Sequence, residues 1–460
     1  MKEDEKDASG SDSSSGVHPS SLLADCSLSA SQARTPRPAG ERNALRRFLK
    51  ALGPGLITGA SDDDPSGIAT YAMAGAALGY AALWMALLTF PLMAAVQFVC
   101  AKVGMVTGKG LAGVLRQHYP RLLLYPAVAG VLLANTINAG ADLGAIAAGV
   151  NLLLPIPVSV LIAPVALLIV VLQVWGSYRF IASSFKWLTL SLLAYIGAAV
   201  HAKPELGSVL KGTFLPTLRV DSASLAMLVA VLGTTISPYL FFWQANQEVE
   251  EKMARRDHHT GRRRGATAGE LRHAAWDVGL GMFFSNVVMY FIILATAATL
   301  HRAGRTDIQS AAEAAEALRP LAGNAATVLM ALGLIGTGVL AVPILTASGA
   351  YAVCEAFGWK CSLDAKPGRA KEFYIIITAS TLVGLLINFL SINPVTALFW
   401  TAVINGFLAP PLLVIIMLIA NNRAIMGNRA NGRPINLLGW ATTLAMFAAA
   451  VGLICTWGQG

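Results

Sequence analysis

Charge is what this sequence has least of. Only 13% of its 460 residues are Asp, Glu, Lys or Arg, about half the share of a soluble globular chain. The shortage is sharper beyond residue 50, because the first 50 positions alone hold 15 charges, 7 acidic and 8 basic. So few charges rule out a disordered chain and argue against a soluble enzyme. They argue against a nucleic-acid partner too: the net charge is +9, but the basic residues are scattered over short loops rather than gathered in a stripe. Cysteine is also scarce. Cys26, Cys100, Cys354, Cys361 and Cys455 show no C-x-x-C spacing, which leaves reduced structural thiols as the reading. No apolar stretch follows the charged, Ser-rich opening MKEDEKDASGSDSSSG, so no signal peptide is expected there. Residues 1–44 read instead as a disordered cytoplasmic tail.

What the chain has in quantity is apolar sequence. Hydrophobic residues make up 55% of it, and the mean hydropathy is +0.60. Runs of roughly 20 residues, the length that crosses a hydrocarbon core as a helix, recur throughout. Eleven apolar segments lie near 49–78, 80–101, 122–150, 155–175, 181–200, 223–247, 274–300, 322–357, 372–390, 394–420 and 435–457. The fold expected is an all-α polytopic membrane protein with about 11 transmembrane helices. Starting inside and alternating, the tail and inside loops hold 28 Lys and Arg, against 6 outside. That asymmetry is what the positive-inside rule requires. It places the N-terminus in the cytoplasm and Gly460 outside, and makes the basic stretch from Arg255 to Arg264 a cytoplasmic loop near anionic lipid. Short loops suggest a bacterial inner membrane.

The acidic residues are more informative than the basic ones. Only Asp62, Asp63, Asp64 and Asp142 fall well inside apolar segments, with Asp277 and Glu355 near segment ends. An ionisable group at membrane depth costs roughly 3 kcal/mol on insertion scales, so it is expected to face a polar cavity or an ion path. Asp62-Asp63-Asp64-Pro65-Ser66-Gly67 cannot place three consecutive acids on one helix face. Pro65 also disfavours helical geometry at Asp64 and removes a backbone donor. The first span therefore reads as a helix broken near the bilayer middle, its freed carbonyls and an Asp converging on a cation. A second interruption, Ser237-Pro238, falls in the sixth segment. Breaks in the first and sixth spans point to an inverted repeat of five plus five helices with substrate at the midplane between them. Repeat one then covers about 45–200 and repeat two about 222–420, with an extra helix at about 435–457, all within a transport domain at 45–457.

These residues resemble the NRAMP metal transporters. GPGLITGASDDDPSG is similar to that family's first-helix region, with its Asp-Pro-Gly-Asn signature, and GTTISPY to its sixth-helix Ala-x-x-Met-Pro-His segment. ADLGAIAAGVNLLLPIPV resembles its third-helix Asp-Leu-Ala-Glu stretch, the segment from Asn286 to His301 its seventh helix, and CEAFGW the end of its eighth. The resemblance spans about residues 45–430. It implies the leucine-transporter-type fold and movement of a divalent metal as substrate, with no cofactor. It also implies site residues. Asp64 matches the metal-binding Asp, and Ser61 a position whose carbonyl binds metal. Gly67 stands where the family has a ligand Asn, Thr234 where it has a carbonyl donor, and Ser237 where it has the ligand Met. Tyr239 replaces a His linked to proton movement, Asp142 matches the third-helix Asp, and Ala145 replaces the Glu that follows it.

The departures shift the expected cargo. Without the thioether, the donors left are hard oxygens: Asp64, carbonyls near Ser61 and Thr234, the Ser237 hydroxyl and Asn405. Such a set suits Mg²⁺, which keeps several waters, more than a soft transition metal. Gly67 in place of Asn leaves room for one of those waters. The same losses resemble the magnesium-transporting, NRAMP-related branch, so Mg²⁺ is expected first and Mn²⁺ next. None of the seven histidines lies mid-span, so proton coupling is expected to be weak or absent. Asp62 and Asp63 are candidates for the approach to Asp64, for pairing with a cation, or for capping a half-helix. Asn393, Thr396, Thr401 and Asn405 are candidates to face the cavity from the tenth span, while Tyr71 and Trp400 read as packing or interface residues. Four alternatives stand beside this. They are a proton-coupled transition-metal importer, a Na⁺-coupled amino-acid transporter of the same fold, a membrane-embedded Mg²⁺-dependent transferase, and a receptor or scaffold. The transferase needs a second Asp cluster, which the spans lack. The amino-acid carrier needs a break free of negative charge to receive a carboxylate.

Overall fold

The computed structural model describes residues 53–176, 190–256, 266–363, 365–390 and 392–456. The expected tail at 1–44 lies outside them, as do 181–189 of the fifth segment and 257–264 of the basic loop. Every regular element among the described residues is helical. In chain order the principal helices of the first half are α1 (Pro54–Asp62), α2 (Pro65–Leu78), α3 (Leu83–Thr107), α4 (Leu111–His118), α5 (Arg121–Leu153), α6 (Val158–Trp175), α7 (Ala194–His201) and α8 (Leu206–Phe214). The second half holds α9 (Ser222–Thr235), α10 (Pro238–Arg256), α11 (Ala268–Thr296), α12 (Ala326–Phe357), α13 (Lys371–Ile387), α14 (Pro394–Asn421) and α15 (Arg433–Thr456).

Nine stretches among the described residues are long and apolar enough to cross a membrane. The difference from eleven has two sources. In the first segment the nine-residue α1 is too short to span alone, and α2 runs on into α3 as one stretch, Pro65–Thr107. The described part of the fifth segment is only the shorter apolar helix Ser191–His201. The remaining eight segments each meet one spanning stretch.

Both expected breaks are present. α1 ends at Asp62, Asp64 is extended (φ −67°, ψ 170°), and α2 begins at Pro65. α9 ends at Thr235, and α10 begins at Pro238. Proline at the first helical position loses nothing, because its missing N–H would have no partner there. The helices run straight through Pro91, Pro126, Pro164 and Pro343, so proline alone does not make the breaks.

Two close approaches hold the broken helices in place. α1 lies on α11 through Gly55, Gly59 and Gly281. A Cβ on Gly59 would stand 2.3 Å from the Gly281 carbonyl oxygen, and one on Gly281 2.2 Å from that of Gly55. Small residues four apart let membrane helices touch backbone to backbone. α9 meets α14 in the same way: a Cβ on Gly233 would be 2.4 Å from the Gly406 nitrogen. That contact brings Asn405 beside the first break. Asp277 of α11 completes the seating of α1, accepting hydrogen bonds from the amides of Gly53 (2.9 Å) and Gly55 (2.7 Å). A carboxylate there satisfies orphan donors and complements the positive end of the helix.

Candidate functional site

The first break follows from local chemistry. Asp64 is the N-cap of α2, and its Oδ1 accepts from the Gly67 amide at 2.7 Å and the Ser66 hydroxyl at 2.6 Å. This is the usual N-cap arrangement. It occupies one carboxylate oxygen and leaves Oδ2 turned toward α5, where the Asn138 amide donates to it at 3.2 Å. The same Asn138 nitrogen lies 3.3 Å from Asp142 Oδ2, and Asn138 Oδ1 accepts from Asn405 at 3.4 Å. One amide thus links the first, third and tenth spans.

The second break faces the first. The Tyr239 hydroxyl donates to the Ser61 carbonyl at 2.8 Å. The Ser66 and Thr234 hydroxyl oxygens are 3.4 Å apart. Ser237 donates to the carbonyls of Gly233 (2.8 Å) and Thr234 (2.6 Å), so its proton serves the end of α9 while its oxygen lone pairs stay open. Asp64, Ser61, Gly67, Thr234, Ser237, Asn405, Asp142 and Tyr239 therefore gather around the two breaks. Their polar members are all at most 2% exposed.

Asp62 and Asp63 turn the other way, toward α11. The Ser285 hydroxyl approaches Asp62 Oδ2 at 2.6 Å and Asp63 Oδ1 at 3.2 Å, and it has one proton for the two carboxylates. Asp62 Oδ1 and Asp142 Oδ1 are buried with no hydrogen-bond partner. Among the described residues no Lys, Arg or His pairs with any of the four acids. Unpaired carboxylates at this depth are costly, and a cation offsets that cost. Groups of three His, Cys, Asp or Glu side chains able to hold a metal are absent among the described residues. An ion here must complete its shell with carbonyls, neutral oxygens and water.

Several expectations change. The room expected at Gly67 is closed: a Cβ there would lie 3.2 Å from the Asp62 carbonyl oxygen, 3.3 Å from the Tyr71 ring and 3.4 Å from Thr234 Oγ1. Tyr71, expected as a packing or interface residue, does pack in the core, fully buried beside the site, and its hydroxyl has no hydrogen-bond partner. Asn393 does not face the site but caps α14, accepting from the Val395 amide at 2.9 Å. Trp400 is 41% exposed, as an interface residue would be. The sequence alone gave Asn138 and Ser66 no role at the metal and did not point to Ser285. Asn138 is one turn before Asp142 on the same helix face, which is a usable signal. Ser285 carries none, since only the packing of α11 against α1 brings it near the acids.

The family model described as natural resistance-associated macrophage protein-like matches residues 55–456. The chain belongs to the NRAMP family. This is a family of membrane transporters of divalent metals, which sets the transferase reading aside. Among solved structures, the NRAMP chain is similar to the Eremococcus coleocola manganese transporter in complex with an aromatic bis-isothiourea compound. The identity is 19% and the TM-score 0.72, covering 91% of this chain and 88% of that one. A variant of the same transporter gives 18%, 0.70, 90% and 87%. Mhp1 in an inward-facing conformation is similar at 14% identity and TM-score 0.53, covering 89% of this chain and 91% of that one. At these identities the likeness concerns the fold, and it agrees with the expected inverted-repeat architecture with broken first and sixth helices.

Proposed function

We propose that this NRAMP protein moves Mg²⁺ by preference, and Mn²⁺ next, by alternating access around Asp64, with weak or no proton coupling. The observation that carries the reading is the donor set. Asp64 Oδ2, the Ser61 and Thr234 carbonyls, the Ser237 hydroxyl and Asn405 surround the breaks, and each offers hard oxygen. No thioether, thiol or imidazole stands at the matching positions. Hard ligands with retained water suit Mg²⁺. In this arrangement the Ser61 and Thr234 carbonyls are held by the hydroxyls of Tyr239 and Ser237. An entering ion competes with those two hydroxyls, which then turn away or offer their own lone pairs. Asp62 and Asp63 draw cations toward the break from the α11 side. With the N-terminus cytoplasmic and the C-terminus outside in a bacterial inner membrane, uptake follows the membrane potential. For a dication that is about 4.6 kcal/mol per 100 mV.

One observation favours the proton-coupled transition-metal importer. Asp142 stands one amide away from Asp64 and has an oxygen without a partner, so a proton there would feel the arrival of metal. Competitive uptake of Mg²⁺, Mn²⁺ and Ca²⁺ into proteoliposomes decides between the two. Mg²⁺ is expected to compete at concentrations near its own half-saturation. Mn²⁺ uptake that is indifferent to excess Mg²⁺ would overturn the magnesium reading.

A further inference from the structure

A recess of about 650 Å³ opens in the segment between α12 and α13, lined by Lys360, Cys361, Ser362, Gly368, Arg369 and Ala370. The segment is pinned from two sides. Glu250 of α10 accepts hydrogen bonds from the Leu363 amide at 2.9 Å and from the Tyr351 hydroxyl. The Tyr374 hydroxyl of α13 donates to the carbonyls of Leu363 and Ala365 at 3.3 and 3.0 Å. Inside the segment the Arg369 amide donates to the Lys366 carbonyl at 2.8 Å. These bonds fix the backbone of the segment that lines the recess.

Its two described basic residues, Lys360 and Arg369, carry no ion pair among the described residues. A third cation packs on Gly358, two residues before Lys360 in the chain. Gly358 turns the chain at φ 78°, and the Arg116 guanidinium packs where a side chain on Gly358 would lie. The aromatic residues nearby fix the depth of this site. Phe357 and Trp359 stack with ring centroids 4.9 Å apart, and Tyr125 is 5.9 Å from Phe357. All three are more than 40% exposed. Exposed aromatics at the end of a spanning helix mark the headgroup level of a bilayer. Basic pockets at that level suit phosphate groups, with Arg as a fork and Lys as a point charge.

We propose that this recess binds the phosphate group of an anionic ligand, supplied by a phospholipid headgroup. Through Glu250 the recess is tied to α10, the helix whose second residue is Tyr239 at the ion site. The test uses the full chain in nanodiscs of phosphatidylcholine, with or without phosphatidylglycerol. N-ethylmaleimide labelling of Cys361 is followed by peptide mass spectrometry, with exposed Cys455 as the internal reference. Each cation near a membrane surface contributes about fivefold to anion binding. Phosphatidylglycerol is therefore expected to slow Cys361 labelling about fivefold or more, with Cys455 unchanged, and Arg369→Gln to cancel most of that protection. Millimolar inorganic phosphate in phosphatidylcholine discs separates the sources: protection by it alone keeps the phosphate site and assigns it a soluble ligand. Equal Cys361 labelling under all these conditions overturns the proposal. So does protection that survives in a well-folded variant with both Lys360→Gln and Arg369→Gln.

Discussion

Replacing Asp64 by Asn removes one charge and almost nothing else. Asn is as good an N-cap as Asp, so its oxygen can keep the bonds from Gly67 and Ser66 that start α2. The new amide then faces the amide of Asn138, which must rotate and give up its bond from Asn405. That rearrangement costs about 1 kcal/mol. The loss to the ion is larger. A dication about 4.5 Å from a carboxylate, with one water between them, gains about 7 kcal/mol at an effective dielectric of 20. Desolvation of the carboxylate offsets roughly half of this. About 3–4 kcal/mol remains, or a loss of two to three orders of magnitude in uptake at low metal. Proteoliposome flux measures it, with a thermal melt in detergent as the control. The melting temperature is expected to stay within a few degrees. Uptake within threefold of wild type by well-folded Asp64→Asn protein would mean that the ion does not depend on the Asp64 charge and is held by another of the buried acids, Asp62, Asp63 or Asp142.

Three further outcomes follow from the same geometry. Ser237→Met places a soft sulfur at the breaks and frees the Thr234 carbonyl, so Mn²⁺ and Cd²⁺ should gain on Mg²⁺ in competition flux; unchanged selectivity would mean that residue 237 does not face the ion. Tyr239→Phe releases the Ser61 carbonyl, worth about 1 kcal/mol, and should lower the half-saturation for metal up to about fivefold; a raised value would contradict the competition between hydroxyl and ion. Gly281→Ala forces a Cβ onto the Gly55 carbonyl and should destabilise by about 1–3 kcal/mol, which a lowered melting temperature with poorer transport would report.

The breaks were legible because their chemistry is local. Asp-Asp-Asp-Pro-Ser-Gly cannot continue a helix in an apolar segment, and Ser237-Pro238 lies at the corresponding place in the second repeat. The other prolines carry the limit of that argument. Pro91, Pro126, Pro164 and Pro343 look similar in sequence, yet their helices continue. What distinguishes Pro65 is the capping Asp64 before it. Asp64 itself was legible as an acid well inside an apolar segment. Its partners were not, because Asn138 and Asn405 reach it only when the third and tenth spans pack on the first. For the same reason Asp277 read as an acid near a helix end, whereas it anchors an element more than 200 residues earlier. The space at Gly67 was misjudged because the Tyr71 ring that fills it lies one turn along the same helix.

On this reading the transported ion sits at Asp64, between the two broken helices. Crystals soaked in Mn²⁺ and measured at the manganese edge test it most directly. The strongest anomalous peak is expected beside Asp64 Oδ2, within reach of the Ser61 and Thr234 carbonyls, and is expected to disappear when excess Mg²⁺ is added. A strongest peak at Asp62, Asp63 and Ser285, with nothing at Asp64, would contradict it.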